Sequence, residues 1–194
     1  MTMNQPGATR RQLLRGAGSG VLSAGAVALL AGCQTMAAPA KGAAAPGGDA
    51  AILNTALELE YQAIAAYQVG ADSRLLTPAT LAVAVAFQTD HRAHAQLLDA
   101  TVRKLGGRPV APKTAQQYGF PLPRLTSERD VVAFAASLEQ SAATAYLNAV
   151  PQFADGELAK AAASILGAEA MHWAALRQAL GDSPLPGPFI SAKA

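Results

Sequence analysis

The sequence contains a single cysteine, Cys33, so no disulfide can form within the chain. Charged residues make up 14% and aromatics 5% of its 194 residues, with apolar residues at 51%. That balance excludes a charge-rich disordered polymer. Runs of Val, Ile and Thr, the mark of strands, are missing. A surplus of positive charge is missing as well. The formal net charge is +2, but Arg10, Arg11 and Arg15 lie in a leader expected to be removed, and all 13 acidic residues lie beyond Cys33. Taking these 3 cations from 15 leaves 12, one fewer than the anions. Such a chain has no electrostatic footprint for DNA or RNA, so nucleic acid is not expected as a partner. The length suits one domain with terminal extensions better than two domains. What is abundant is alanine, the best helix former and a residue of little bulk, which points to slender helices packed close together.

Residues 8–15 read ATRRQLLR, and a weakly apolar stretch without charge follows from Gly16 to Gly32. A permanent spanning helix needs about 20 strongly apolar residues. This stretch is shorter and is diluted by Gly16, Gly18, Gly20, Gly25, Ser19 and Ser23. It resembles the twin-arginine export signals that carry folded proteins across the inner bacterial membrane, which implies the twin-arginine export machinery as a partner. Leu30-Ala31-Gly32-Cys33 resembles a lipobox, which implies that Cys33 becomes the lipid-bearing first residue and ties the protein to a membrane. Gln34 follows, where an aspartate would resemble an inner-membrane retention signal. The expectation is a periplasmic protein, lipid-anchored to the outer membrane. The alternative is soluble release into the periplasm after an A-x-A-like site among Thr35 to Ala38.

Residues 1–33 are therefore read as the signal, 34–48 as an Ala/Pro/Gly tether, 49–181 as the domain and 182–194 as an extended tail. Asp49 is placed to cap a first helix whose stripe runs through Ile52, Leu53, Ala56, Leu59, Glu60, Ala63, Ile64 and Tyr67. A turn is expected from Gly70 to Thr77. Thr77-Pro78 then opens a second helix that stops at Gly106-Gly107, with Arg103 and Lys104 in its last turn. Residues 106–126 hold four prolines and no helical stripe, a link longer than the two to eight residues usual between neighbouring helices. Ser127, with Asp130 three residues on, starts a third helix that ends at Pro151, and a fourth runs from about Gly156 to Leu180. The expected class is all-α: four long helices with one long crossover between the second and third, as in ferritin-like bundles.

Helices one and three share a pattern, Leu59-Glu60-x-x-Ala63-x-x-Ala66-Tyr67 and Leu138-Glu139-x-x-Ala142-x-x-Ala145-Tyr146. Residues seven apart lie about 20° apart around a helix, so each Glu shares a face with its Tyr. That face is the apolar one. A buried carboxylate without a partner carries a desolvation penalty of several kcal/mol, so Glu60 and Glu139 need compensation. Helix two supplies Asp90-His91-x-x-His94 and helix four supplies Glu169-x-x-His172, which together hold all 3 histidines of the chain. His94 follows Glu60 by 34 positions and His172 follows Glu139 by 33, so two similar hairpins converge these groups at mid-bundle.

On these residues the chain resembles the ferritin-like superfamily, over residues 50–181. The resemblance implies Glu, Glu-x-x-His, Glu, Glu-x-x-His ligands for two iron or manganese ions, with a tyrosine seven residues after the first Glu beside the site. Glu60, Tyr67, His94, Glu139, Glu169 and His172 match, and Tyr67 is then a candidate redox residue. His91 stands where the pattern has Glu. A carboxylate can bridge two cations, whereas a neutral imidazole offers one lone pair. The expected metal ligands are Glu60, His94, Glu139, Glu169 and His172, with His91 as a terminal one, in an asymmetric or single-metal site for Fe or Mn. Asp90, short and about 100° around the helix from position 91, is not counted among them. Tyr67 and Tyr146 are read foremost as core tyrosines bonded to ligand carboxylates, Trp173 as packing, and Asp99 with Arg103 as a surface pair.

Two functions follow. One is an exported metal protein that oxidises Fe(II) or disposes of peroxide. The other is a non-enzymatic envelope protein whose three glutamates pair with three histidines after loss of the metal. A storage cage is disfavoured by the anchor and the tether, and the oligomeric state, a homodimer included, is open.

Overall fold

A computed structural model describes residues 48–190. The leader, Cys33, all of the tether but Gly48, and residues 191–194 lie outside them. The described residues form four α-helices and no strand: α1 (Gly48–Asp72), α2 (Pro78–Lys104), α3 (Glu128–Ala149) and α4 (Gly156–Ala179), with single 3₁₀ turns at Leu122–Arg124 and Val150–Gln152. This is the four-helix arrangement that the periodicity indicates. None of these helices is long and apolar enough to cross a membrane.

The helix starts follow from capping chemistry. Thr77 accepts a hydrogen bond from the Thr80 N–H and Pro78 occupies the first turn, while the Ser127 side chain accepts from the Asp130 N–H and donates back to the Asp130 carboxylate at 2.7 Å. The expectation for Asp49 is not met. α1 begins one residue earlier, and the Asp49 carboxylate instead accepts from the Ala154 and Asp155 N–H groups at 2.8 and 3.0 Å. It thereby fastens the start of α1 to the α3–α4 turn.

The turn expected at Gly70 begins later, because α1 continues to Asp72. Gly70 is buried within the helix, where a Cβ would stand 3.0 Å from Val131 Cγ1 of α3. At the end of α2, Gly106 takes φ +77° and its N–H reaches the Arg103 carbonyl, closing the helix where the sequence indicates.

Side-chain bonds fix the topology. Glu128 at the start of α3 accepts from both the N–H and the hydroxyl of Thr77 at the start of α2. The two helices therefore begin at the same end and run parallel. α1 and α3 run antiparallel, since Tyr67 meets Glu139 and Tyr146 meets Glu60. The link over residues 105–127 must then travel the length of the bundle, about 40 Å for a helix the size of α2. Asn54 holds part of it against α1, donating to the Arg108 carbonyl and accepting from the Val110 N–H, both at 2.9 Å. Leu53, Leu57, Leu98, Val102, Tyr146 and Ile165 pack one end of the interior, and Val132, Ala136, Trp173 and Leu176 another part of it.

Candidate metal centre

All six side chains expected at the site meet in the interior. Glu60 comes from α1, His91 and His94 from α2, Glu139 from α3, and Glu169 and His172 from α4. His91 lies at the centre. Its Nδ1 is 2.8 Å from Glu60 Oε2 and its Nε2 is 3.1 Å from Glu139 Oε1. The Tyr67 hydroxyl donates to Glu139 Oε1, and the Tyr146 hydroxyl donates to Glu60 Oε1 at 2.6 Å. One string of hydrogen bonds thus runs Tyr67, Glu139, His91, Glu60, Tyr146, with each tyrosine serving the glutamate of the opposite repeat. The Glu and Tyr of the shared motif are the paired ends of that string.

The donors form two overlapping groups, Glu60 with His91, His94 and Glu169, and His91 with Glu139, Glu169 and His172; within each, one ligand atom per residue lies within 4.8 Å of the rest. His91 and Glu169 belong to both. Among the described residues, five buried side-chain atoms here have no hydrogen-bond partner: His94 Nδ1, Glu139 Oε2, both Glu169 oxygens and His172 Nδ1. His94 Nδ1 is only 3.2 Å from Glu169 Oε1 but lacks the alignment of a hydrogen bond. Buried polar atoms are nearly always paired, and a cluster of convergent oxygens and imidazole nitrogens left unpaired is what a cation of the iron or manganese type would satisfy. His94 is the most open member of the set at 16% exposure, while Glu169 has none.

Electrostatics divide the glutamates. Burial works against an ionised Glu60, yet the His91 hydrogen bond and the nearby His94 imidazole outweigh it and hold the carboxyl below its usual range. Glu139 likewise overcomes burial through His172 and His91 and sits well below that range. Burial dominates at Glu169 and, with the adjoining Glu139 carboxylate, pushes it up to about 8 against the pull of His94. Burial would lower His91, but its bonds to Glu139 and Glu60 raise it to about 10; burial would lower His94 too, but the nearby Glu169 and Glu60 carboxylates raise it to about 9. Burial and the neighbouring carboxylates push both Tyr67 and Tyr146 up, so at neutral pH the phenols remain donors.

Two neighbours of the site are not evident from spacing. Asp90, not counted from sequence, places its carboxylate 3.2 Å from His172 Nε2. It reaches across from α2 to α4, a contact invisible when position 90 is judged on its own helix. Phe87, one turn before His91, stacks on the His172 ring with centroids 4.0 Å apart. Asp99 and Arg103 form the expected surface pair, and Trp173 packs with Val132 and Leu176.

The architecture is thus that of an all-α bundle with a carboxylate and imidazole core contributed by four helices. A family model for the ferritin-like domain matches residues 48–182, and the chain belongs to that family. Among solved structures it is similar to a conserved hypothetical protein from Mycobacterium tuberculosis, at 24% identity and a TM-score of 0.59, over 72% of this chain and 94% of that one. It is also similar to ferritin-like, diiron-carboxylate proteins from Bacillus anthracis, at 22% identity and a TM-score of 0.55, over 68% of this chain and 94% of that one. At these identities the likeness establishes the fold. No protein of curated function matches the chain.

Proposed function

We propose that this is an exported, lipid-anchored ferritin-like protein that binds iron, or manganese in its place, at the buried glutamate and histidine cluster. The observation that carries the reading is the set of five unpartnered buried atoms on convergent ligand residues. The Bacillus anthracis relatives, described as diiron-carboxylate proteins, support iron as the metal. Bound iron supplies one-electron exchange with dioxygen or peroxide as the oxidant. The chain's own residues do the rest. The buried glutamate and histidine cluster supplies the ligands, Tyr67 and Tyr146 fix two of the carboxylates, and Phe87 covers the His172 ring. Export and anchoring rest on Arg10-Arg11 and on the Leu30 to Cys33 segment.

The test is the iron content of protein exposed to Fe(II) without chelator and then desalted. Wild type retains metal and Glu139→Ala does not, while both keep the helical circular dichroism of a folded bundle. Absence of retained metal in the wild type overturns the reading and leaves its competitor, a metal-free envelope protein, which is favoured by the satisfied hydrogen bonds of His91. Cell fractionation of wild type and Cys33→Ala tests the anchor: the variant should leave the membrane fraction.

A further inference from the structure

The two halves of the cluster are not equivalent, and the difference lies in which ligand atoms are already engaged. Glu60 has both oxygens occupied, Oε1 by the Tyr146 hydroxyl at 2.6 Å and Oε2 by His91 Nδ1 at 2.8 Å. Glu139 has only Oε1 occupied, by Tyr67 and His91 Nε2, and its Oε2 has no partner. Beside that free oxygen stands the unpartnered His172 Nδ1, 3.6 Å away, and the unpartnered Glu169 carboxylate completes the group. Metal bonds of about 2.0–2.2 Å place neighbouring donors about 3–4 Å apart, and the 3.6 Å between His172 Nδ1 and Glu139 Oε2 falls in that range, with Glu169 offering an oxygen within 4.8 Å. His172 is also held from behind, its Nε2 on Asp90, in the arrangement that orients a metal-binding imidazole. The other half offers His94 Nδ1 and Glu169, but neither oxygen of Glu60 is without a hydrogen bond, whereas Glu139 Oε2 is wholly free.

His91 is the reason for the asymmetry. Both ring nitrogens of His91 are engaged by carboxylate oxygens at hydrogen-bond distance, Nδ1 by Glu60 and Nε2 by Glu139. The ring therefore presents no lone pair to a metal.

On the metal-binding reading above, we infer that the cluster holds one divalent ion per chain, on Glu139, Glu169 and His172, and that His91, bonded to Glu60 and Glu139, keeps Glu60 from completing a second set of ligands. Glu60 and His94 are then positioning residues rather than ligands.

Anaerobic titration of the chelator-stripped full chain with Fe(II), with bound iron counted after desalting, tests this. The expected endpoint is one equivalent. His94→Ala keeps that equivalent with a Kd within about threefold of wild type, His172→Ala loses it, and Asp90→Asn weakens binding about 10–100-fold, the usual effect of removing a group behind a ligand. His91→Glu raises the endpoint to two. Two equivalents in the wild type overturn the inference and leave the metal-binding reading intact, as does one equivalent that survives His172→Ala and disappears in His94→Ala. No bound iron in the wild type overturns the reading beneath it. Circular dichroism of each variant separates a lost site from a lost fold, and should His91→Glu not fold, the wild-type endpoint and the His94 and His172 variants still decide.

Discussion

Tyr146→Phe isolates one link of the hydrogen-bond string at the centre of the bundle. The phenol donates to Glu60 Oε1 at 2.6 Å, and both side chains are buried. Phenylalanine fills the same space, so no cavity term enters. What is lost is a hydrogen bond to a charged acceptor, about 1.5–3 kcal/mol, and what remains is a buried carboxylate oxygen without a partner. The expected loss for the metal-free protein is about 2–3 kcal/mol, read from urea unfolding as a lower midpoint at unchanged m-value. At roughly 2–4 °C per kcal/mol for a chain of this size, the melting temperature should fall by about 4–12 °C. Tyr61→Phe, at a partly exposed position away from the string, is the control and should stay within about 0.5 kcal/mol. Tyr67→Phe breaks the equivalent link on Glu139, and because His91 joins the two glutamates, the double variant should depart from additivity by about 0.5–3 kcal/mol. A Tyr146→Phe midpoint within about 0.5 kcal/mol of wild type, or strict additivity with Tyr67→Phe, refutes the string as an energetic unit.

The metal-free protein should lose stability on the alkaline side. His91 and His94 are raised to about 10 and about 9 in the fold from 6.5, so their contribution is complete below pH 6.5 and is lost as pH rises through those values. Glu169, raised from 4.5 to about 8, acts in the same direction between those values. Glu60 and Glu139 are lowered, so their contribution is present above 4.5 and lost as pH falls below it. Melting of chelator-stripped protein against pH should peak at about pH 5 and fall above it; a melting temperature that climbs from pH 6 to pH 9 contradicts the account. Gly70→Ala should stabilise by up to about 1 kcal/mol in chemical denaturation, since Ala is the better helix former and Val131 can shift into the cavity of about 250 Å³ that both residues line. Gly107→Ala should cost about 1–3 kcal/mol instead, because its Cβ would stand 3.2 Å from the Val102 carbonyl, and backbone cannot move aside. Asp49→Ala should cost about 1 kcal/mol and raise hydrogen exchange at Ala154 and Asp155, whose N–H groups it accepts from.

The helices were legible because each start and stop has a local cause: Thr77-Pro78, Ser127 with Asp130, and Gly106 write their caps into consecutive residues. The convergence of the cluster was legible because helical period and repeat offset place Glu60, Glu139, His94 and His172 without any knowledge of packing. Asp49 was misassigned since its partners, Ala154 and Asp155, lie more than a hundred positions away, and no local pattern carries that information. Gly70 read as punctuation although its neighbour is Val131 on another helix. Asp90 was discounted by its angle on α2, while the side chain it meets, His172, belongs to α4. The role of His91 divides the same way. Its position facing the glutamates followed from spacing, but that both ring nitrogens are engaged is a fact of three helices meeting.

Anomalous scattering at the iron edge, from crystals of the protein grown with Fe(II) under anaerobic conditions, tests the central claim most directly. The account predicts one peak per chain, within coordination distance of Glu139, Glu169 and His172. Iron found only on exposed carboxylates, or no peak among the buried side chains, contradicts it.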